Sequence, residues 1–215
     1  MLLRMIELNQ PIDEIIFYDT TVEFPQMYEH INRVEEYIKR PITRLRAKKD
    51  FEYYLLYHKP KIKEGSKNKN GYSFPYFHGR WCTRIKTQTL DAHFKDKRKF
   101  NIKQYVGIAA DEYHRIKDKI YPLIEWGWTE RDCLKYCCEK GFDFGGLYEI
   151  FNRVSCWCCP LQPLGALRQL RKHFPELWEK ILDWQSQTWR AFRPDYDAIE
   201  LETRFKREDC QLTLF

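Results

Sequence analysis

Glu14-Ile15-Ile16-Phe17-Tyr18-Asp19, running into Thr20-Thr21 and then Phe24-Pro25, is the stretch on which the fold turns. A short apolar run that ends in a polar cluster reads as a strand buried on both faces, the kind found in parallel sheets. Pro25 then opens a helix in which Met27, Ile31, Val34 and Ile38 recur at i, i+4, i+7 and i+11, the stripe of a helix lying on a sheet. Pro41 ends that helix, and Ile42 to Leu45 reads as the next strand. Strand, helix, strand is the signature of a right-handed parallel crossover. The expected fold class is α/β: an open, mostly parallel sheet with flanking helices and a helical C-terminal part. Ligands of such sheets collect at the carboxyl ends of strands, which makes Asp19 and Thr20 candidates for ligand contact. The same Asp-Thr-Thr run also suits a helix cap and turn, so both readings stand.

Outward from this strand, Met1 to Leu8 reads as the tail of a helix with Met1, Leu2, Met5 and Ile6 on one side. No capping residue precedes it, so the helix looks cut. Asp50 to Tyr57 reads as a short aromatic helix and Trp81 to Phe94 as a longer one. Gln104 to Ala109 reads as a strand with Asp111-Glu112-Tyr113-His114-Arg115 at its carboxyl end. Thr129 with Asp132 three residues on resembles a capping box for a helix that carries Cys133, Tyr136 and Cys137 on one face. Pro163 and Pro175 start the C-terminal helices, where Leu177, Ile181 and Trp184 form a stripe. The expected organisation is an α/β domain over residues 1–127, with a Cys-rich helical region, 128–215, packed on the same domain.

The chain has 215 residues, 43% hydrophobic and 16% aromatic, enough to bury one good core. Its 37 basic and 31 acidic residues leave a charge of +6, which suits an anionic ligand and falls short of a dedicated nucleic-acid binder. The densest basic stretch, His58 to Gly71, has loop composition and reads either as a solvated loop or as a contact for nucleic acid or another anion. No segment has the composition of a signal peptide or a membrane span. Eight cysteines without a secretory signal point to the reducing cytoplasm.

Those cysteines carry the chemistry. Cys156-Trp157-Cys158-Cys159-Pro160 offers two thiolates, Cys156 and Cys159, from one tight bend, and the isolated Cys82 of Gly79-Arg80-Trp81-Cys82-Thr83 is a third donor from a distant segment. Thiolates so combined can close a tetrahedral sulfur site around zinc or an iron–sulfur cluster. The competing reading is a set of inert or redox thiols.

The order and spacing of several motifs resemble the phosphoadenosine phosphosulfate reductase-like branch of the adenine nucleotide alpha hydrolase, or PP-loop, superfamily. Its carriers are Phe17-Tyr18-Asp19-Thr20-Thr21 with Phe24-Pro25, the Trp81-Cys82 helix, Gly107 to Glu112 with Arg115, Tyr121-Pro122-Leu123 leading to Trp128-Thr129, and Cys156 to Pro160. The resemblance covers residues 1 to about 185. It implies an adenine nucleotide alpha hydrolase-like sheet whose first strand, with its Ser-Gly-Gly-Lys-Asp-Ser loop, is missing here. The expectation is a fragment, or a product read from an internal start. The resemblance also implies binding of an adenine nucleotide or sulfonucleotide, with Asp19, Thr20, Lys86 and Arg115 as cofactor-binding candidates. It further implies a 4Fe-4S cluster or zinc held by Cys82, Cys156 and Cys159. Where family members place a Cys-Cys pair this chain has Trp81-Cys82, so a fourth ligand is needed, and Cys137 is the first replacement, with Cys158 and Cys138 behind it. The catalytic tail of true reductases, Glu-Cys-Gly-Leu-His, has no match, and Cys210 does not take that role. Arg115 reads either as an anion clamp or as the surface partner of Asp111. Lys86 reads either as a neighbour of the cluster or as a solvated lysine.

Two classes of function follow. One is an enzyme of sulfur metabolism, an oxidoreductase acting on a sulfur group or a sulfurtransferase, with a thioredoxin-like reductant or nucleic acid as partner. The other is a non-catalytic zinc-binding module contacting nucleic acid or a partner protein.

Overall fold

The structure, a computed structural model, describes residues 1–59, 70–97 and 99–212. Its helices are α1 (Leu2–Glu7), α2 (Pro25–Ile38), α3 (Trp81–Phe94), α4 (Pro122–Glu125), α5 (Glu130–Glu139), α6 (Leu147–Ile150), α7 (Leu164–His173), α8 (Pro175–Gln187) and α9 (Ala198–Leu212). Its strands are β1 (Ile16–Asp19) and β2 (Thr43–Arg46). The basic stretch His58 to Gly71 lies for the most part outside the described residues.

The fold is α/β and rich in helix. Among the described residues the sheet consists of β1 and β2, paired in parallel and joined through α2, and the Thr43 N–H donates to the Ile15 carbonyl at 2.8 Å. All four β1 residues are half-buried, not enclosed on both faces as an inner strand would be. The segment expected as a strand at Gln104 to Ala109 departs from that expectation. It makes a single parallel bridge, Tyr105 to Ile120. The Val106 N–H reaches the Ile120 carbonyl at 2.9 Å, but the Val106 carbonyl is taken by the Ile108 N–H at 3.0 Å, so the chain turns within three residues and has no ladder to extend. A 3-10 helix, Ala110–Arg115, follows directly.

The chain divides into two compact units, each assembled from several segments. The first holds Met1–Phe17, Pro25–Arg44 and Leu90–Tyr148. Here the buried Val34, Ile42 and Phe142 gather Leu2, Ile31 and Ile38, so the helical stripe read from the sequence faces this core. Helix α5 starts at the expected capping box: the Thr129 hydroxyl accepts from the Asp132 N–H, and the Asp132 carboxylate accepts from the Thr129 N–H at 3.0 Å.

The second unit holds Tyr18–Phe24, Leu45–Thr89 and Glu149–Phe215. Trp184, 1% exposed, anchors its core and stacks on Trp157 with ring centroids 5.2 Å apart. The buried face of α8 is Trp178, Ile181 and Trp184, so Trp178 takes the place the pattern assigned to Leu177. Phe24 lies 5.1 Å from Phe151 and 5.0 Å from Phe174, which ties the turn after β1 to the helical part of this unit. Among the described residues no helix is long and apolar enough to cross a membrane.

Candidate thiol and strand-end site

Strand β1 ends in a backbone held by its own side chains. The Thr21 N–H donates to the Asp19 carboxylate at 2.7 Å, and the Val22 N–H donates to the Thr20 hydroxyl at 3.3 Å. These bonds stabilise Thr21 at φ +65°, the left-handed region, which is unfavourable for a β-branched residue. The Thr21 hydroxyl then accepts the Phe51 N–H at 2.9 Å. Strain of this kind costs on the order of 1–3 kcal/mol and persists only where neighbouring contacts enforce it. Asp19 and Thr20 therefore sit on a fixed turn, and both readings of the Asp-Thr-Thr run hold at the level of geometry: it is a turn, and it lies at a strand end.

The second element is the Cys156 to Pro160 bend. The Cys159 N–H donates to the Cys156 carbonyl at 3.1 Å and closes the turn, while the buried Gln162 amide donates to the carbonyls of Cys156 (3.1 Å) and Trp157 (3.0 Å). The Arg193 guanidinium donates to the Pro160 and Gln162 carbonyls at 2.8 and 2.7 Å. The Trp157 N–H donates to the Val22 carbonyl at 3.1 Å, joining this bend to the turn after β1. Cys156 Sγ then lies 3.6 Å from Thr20 Oγ1 and 3.7 Å from Glu23 Oε1, and the Thr20 hydroxyl donates to that same Glu23 oxygen at 2.7 Å.

The third element is the start of α3. Trp81 is pinned by its indole N–H to the Ser73 carbonyl at 2.8 Å and packs on Phe51 at 4.8 Å, so Cys82 is carried on a fixed first turn. Cys82 lines an open, shallow cleft together with Asp19, Thr20, Lys49, Tyr54 and Trp81. Lys86, one turn on, stands 5.7 Å over the Tyr18 ring.

Burial pushes the thiols of Cys82, Cys156, Cys158 and Cys159 upward, Cys156 to about 12 and Cys158, fully enclosed, well above the ordinary thiol range. For Cys156 the Glu23 carboxylate adds to the effect of burial. Cys82 and Cys159 are raised by burial and partly relieved by Arg80. Cys82 also acts electrostatically on Cys156, Cys158 and Cys159, so the lone thiol and the bend share one neighbourhood. A set of soft sulfur donors that would be costly to ionise without a nearby cation is a donor set suited to zinc or iron–sulfur chemistry. Among the described residues, however, no three His, Cys, Asp or Glu side chains are already gathered at ligating positions.

The other residues singled out in the sequence belong to the first unit. Cys137 packs against the Val34, Ile42 and Phe142 core, and burial raises its pKa. Arg115 pairs with Glu112 at 2.6 Å, while Asp111 accepts from the Glu130 N–H at 3.2 Å. Of the predicted residues, Asp19, Thr20 and Cys82 line one cleft, and Cys156 lies against Thr20. Glu23, Gln162 and Arg193 were not foreseen. Glu23 has a sequence signal in hindsight, its i+3 spacing from Thr20, whereas Gln162 and Arg193 act on backbone carbonyls and leave no pattern.

No family model matches the chain, and no solved structure matches it. An uncharacterized protein of Methanocaldococcus jannaschii is 28% identical over 194 residues, an alignment that covers 84% of this chain and 37% of that protein. The chain therefore spans little more than a third of the length of the curated relative it matches.

Proposed function

We propose that the second unit carries out adenine-nucleotide-dependent sulfur chemistry of the phosphoadenosine phosphosulfate reductase-like kind, either sulfonucleotide reduction or sulfur transfer. In this reading β1 and β2 belong to an open, mostly parallel sheet. The observation that carries the proposal is the approach of Cys156 Sγ to Thr20 Oγ1 at 3.6 Å, which sets a half-buried thiol at the carboxyl end of a parallel strand. Asp19 and Thr20 are the polar contacts for the nucleotide. Lys86, over Tyr18, supplies positive charge on the α3 side.

Cys82, Cys156 and Cys159 are the residues that would hold a metal or cluster, with Cys158 a further thiol of the same bend. A bound 4Fe-4S cluster or zinc would let these cysteines ionise as ligating thiolates beside the sulfur that is handled. The test is incubation of the anaerobically purified chain with phosphoadenosine phosphosulfate and thioredoxin. Sulfite release supports reduction, and nucleotide binding without sulfite supports transfer. Absence of both removes the nucleotide from the account.

A second reading, a non-catalytic zinc-holding module, is favoured by the complete burial of Cys158 between Cys156 and Cys159 in sequence, a setting suited to a closed structural site. Stoichiometric zinc without acid-labile sulfide and without nucleotide binding is its mark.

A further inference from the structure

The second unit presents a further surface, which shares Arg80 with the surroundings of Cys82 and Cys159. Arg190 Cζ stands 4.0 Å over the Tyr76 ring and 4.7 Å from the Trp189 ring centroid, so one guanidinium lies between two aromatic faces. Arg80 stands 5.3 Å over Phe77, and Arg84 stands 5.4 Å over Tyr72. The two chain segments are fastened together: the Arg190 N–H donates to the Ser73 hydroxyl at 3.2 Å, and the Trp189 indole donates to the Gly71 carbonyl at 3.3 Å. The Tyr76 ring lies so close to Gly79 that a Cβ there would meet it at 2.1 Å, so the missing side chain is what lets the ring lie flat.

These rings are not core. Phe77 is 66% exposed, Trp189 41% and Tyr76 39%, which leaves large apolar faces in water. Among the described residues the three arginines rest on rings and not on carboxylates, so their charge is not cancelled locally. Exposed π faces interleaved with arginines match what an unpaired nucleic-acid strand presents: bases that stack, and phosphates that seek cations. An acidic peptide would use the charges and leave the rings idle, and a duplex keeps its base faces hidden. The basic excess of the chain acts in the same direction.

We infer that this surface binds single-stranded nucleic acid, with bases stacking on Phe77 and Trp189 and phosphates held by Arg80, Arg84 and Arg190. The inference does not depend on the chemistry of the thiols.

The test is fluorescence anisotropy with short fluorescein-labelled oligothymidylate and oligouridylate, titrated with the full chain at low and moderate salt. Wild-type chain binds, and the pair F77A/W189A weakens binding by roughly tenfold or more, since base stacking on an aromatic face is lost twice. The pair R80Q/R190Q lowers the slope of log affinity against log salt by about 0.7 for each phosphate contact removed. Phe77→Ala alone, at a mostly exposed position, serves as the variant least able to disturb the fold, and circular dichroism checks each protein. No binding at low salt overturns the inference. So does heparin or polyglutamate competing as well as the oligonucleotide, because charge alone, or an acidic protein partner, would then explain the surface. Binding that F77A/W189A leaves unchanged overturns it as well.

Discussion

Cys156 Sγ stands 3.6 Å from Thr20 Oγ1 although 136 positions separate the two residues. Two backbone arrangements create that approach. Asp19 and Thr20 bond the N–H groups two residues on and hold the turn after β1, and the Trp157 N–H to Val22 carbonyl bond brings the cysteine bend onto it. Glu23 completes the contact by accepting from the Thr20 hydroxyl beside the same sulfur.

The bend depends on the aromatic core beneath it. Trp157 stacks on Trp184, which is nearly inaccessible, so Trp184→Ala should cost about 3–5 kcal/mol in chemical unfolding. The same variant should loosen the Cys156 to Pro160 segment, read as faster hydrogen exchange at Cys159, whose N–H closes the turn.

Thiol reactivity should divide by burial. In metal-stripped folded protein at mildly alkaline pH, Cys138 and Cys210, both exposed, should react rapidly with Ellman's reagent. Cys156, pushed up to about 12, and the enclosed Cys158 should react only on unfolding. Rapid modification of Cys158, mapped by mass spectrometry, would contradict its placement.

Acid should remove part of the first unit's stability through Glu14. Burial works to raise its pKa, but hydrogen bonds from Lys97, His93 and Thr43 outweigh that and hold it at about 2, against 4.5 for a glutamate free in water. A depressed carboxylate contributes stability that is fully present above about pH 4.5 and lost as pH falls toward 2. After discounting for solvent screening the contribution is on the order of 1 kcal/mol. Glu14→Gln should flatten this part of the pH–stability curve in urea titrations.

Removing the cap of α5 is a local test of the first unit. Thr129→Ala deletes the hydroxyl that accepts the Asp132 N–H and should cost about 1 kcal/mol in urea unfolding. A change near zero would mean that water replaces the hydroxyl without penalty.

Much of the helical framework was legible because its signals are local. Pro25 opens α2, Thr129 and Asp132 cap α5, and the Trp81 to Phe94 helix has the bounds read from the sequence. The strand expected at Gln104 to Ala109 was not realised, since a five-to-six-residue apolar run does not reveal that Val106 will bond its own near neighbour. The structure places Cys82, Cys156 and Cys159 in one unit, while among the described residues no three ligating side chains are gathered at one point. Cys137 was chosen by its position on a helix face, and that face packs into the first unit's apolar core. Glu23 was missed because a carboxylate in a turn resembles any solvated one until the distant cysteine is seen beside it.

The claim that Cys82, Cys156 and Cys159 together hold a metal or cluster is tested most directly by anaerobic purification with iron, zinc and acid-labile sulfide analysis, on wild-type chain, Cys156→Ser and Cys138→Ser. The account predicts near-stoichiometric metal in wild type and in Cys138→Ser, and its loss in Cys156→Ser. Metal-free wild-type chain, or metal content unchanged in Cys156→Ser, would contradict it.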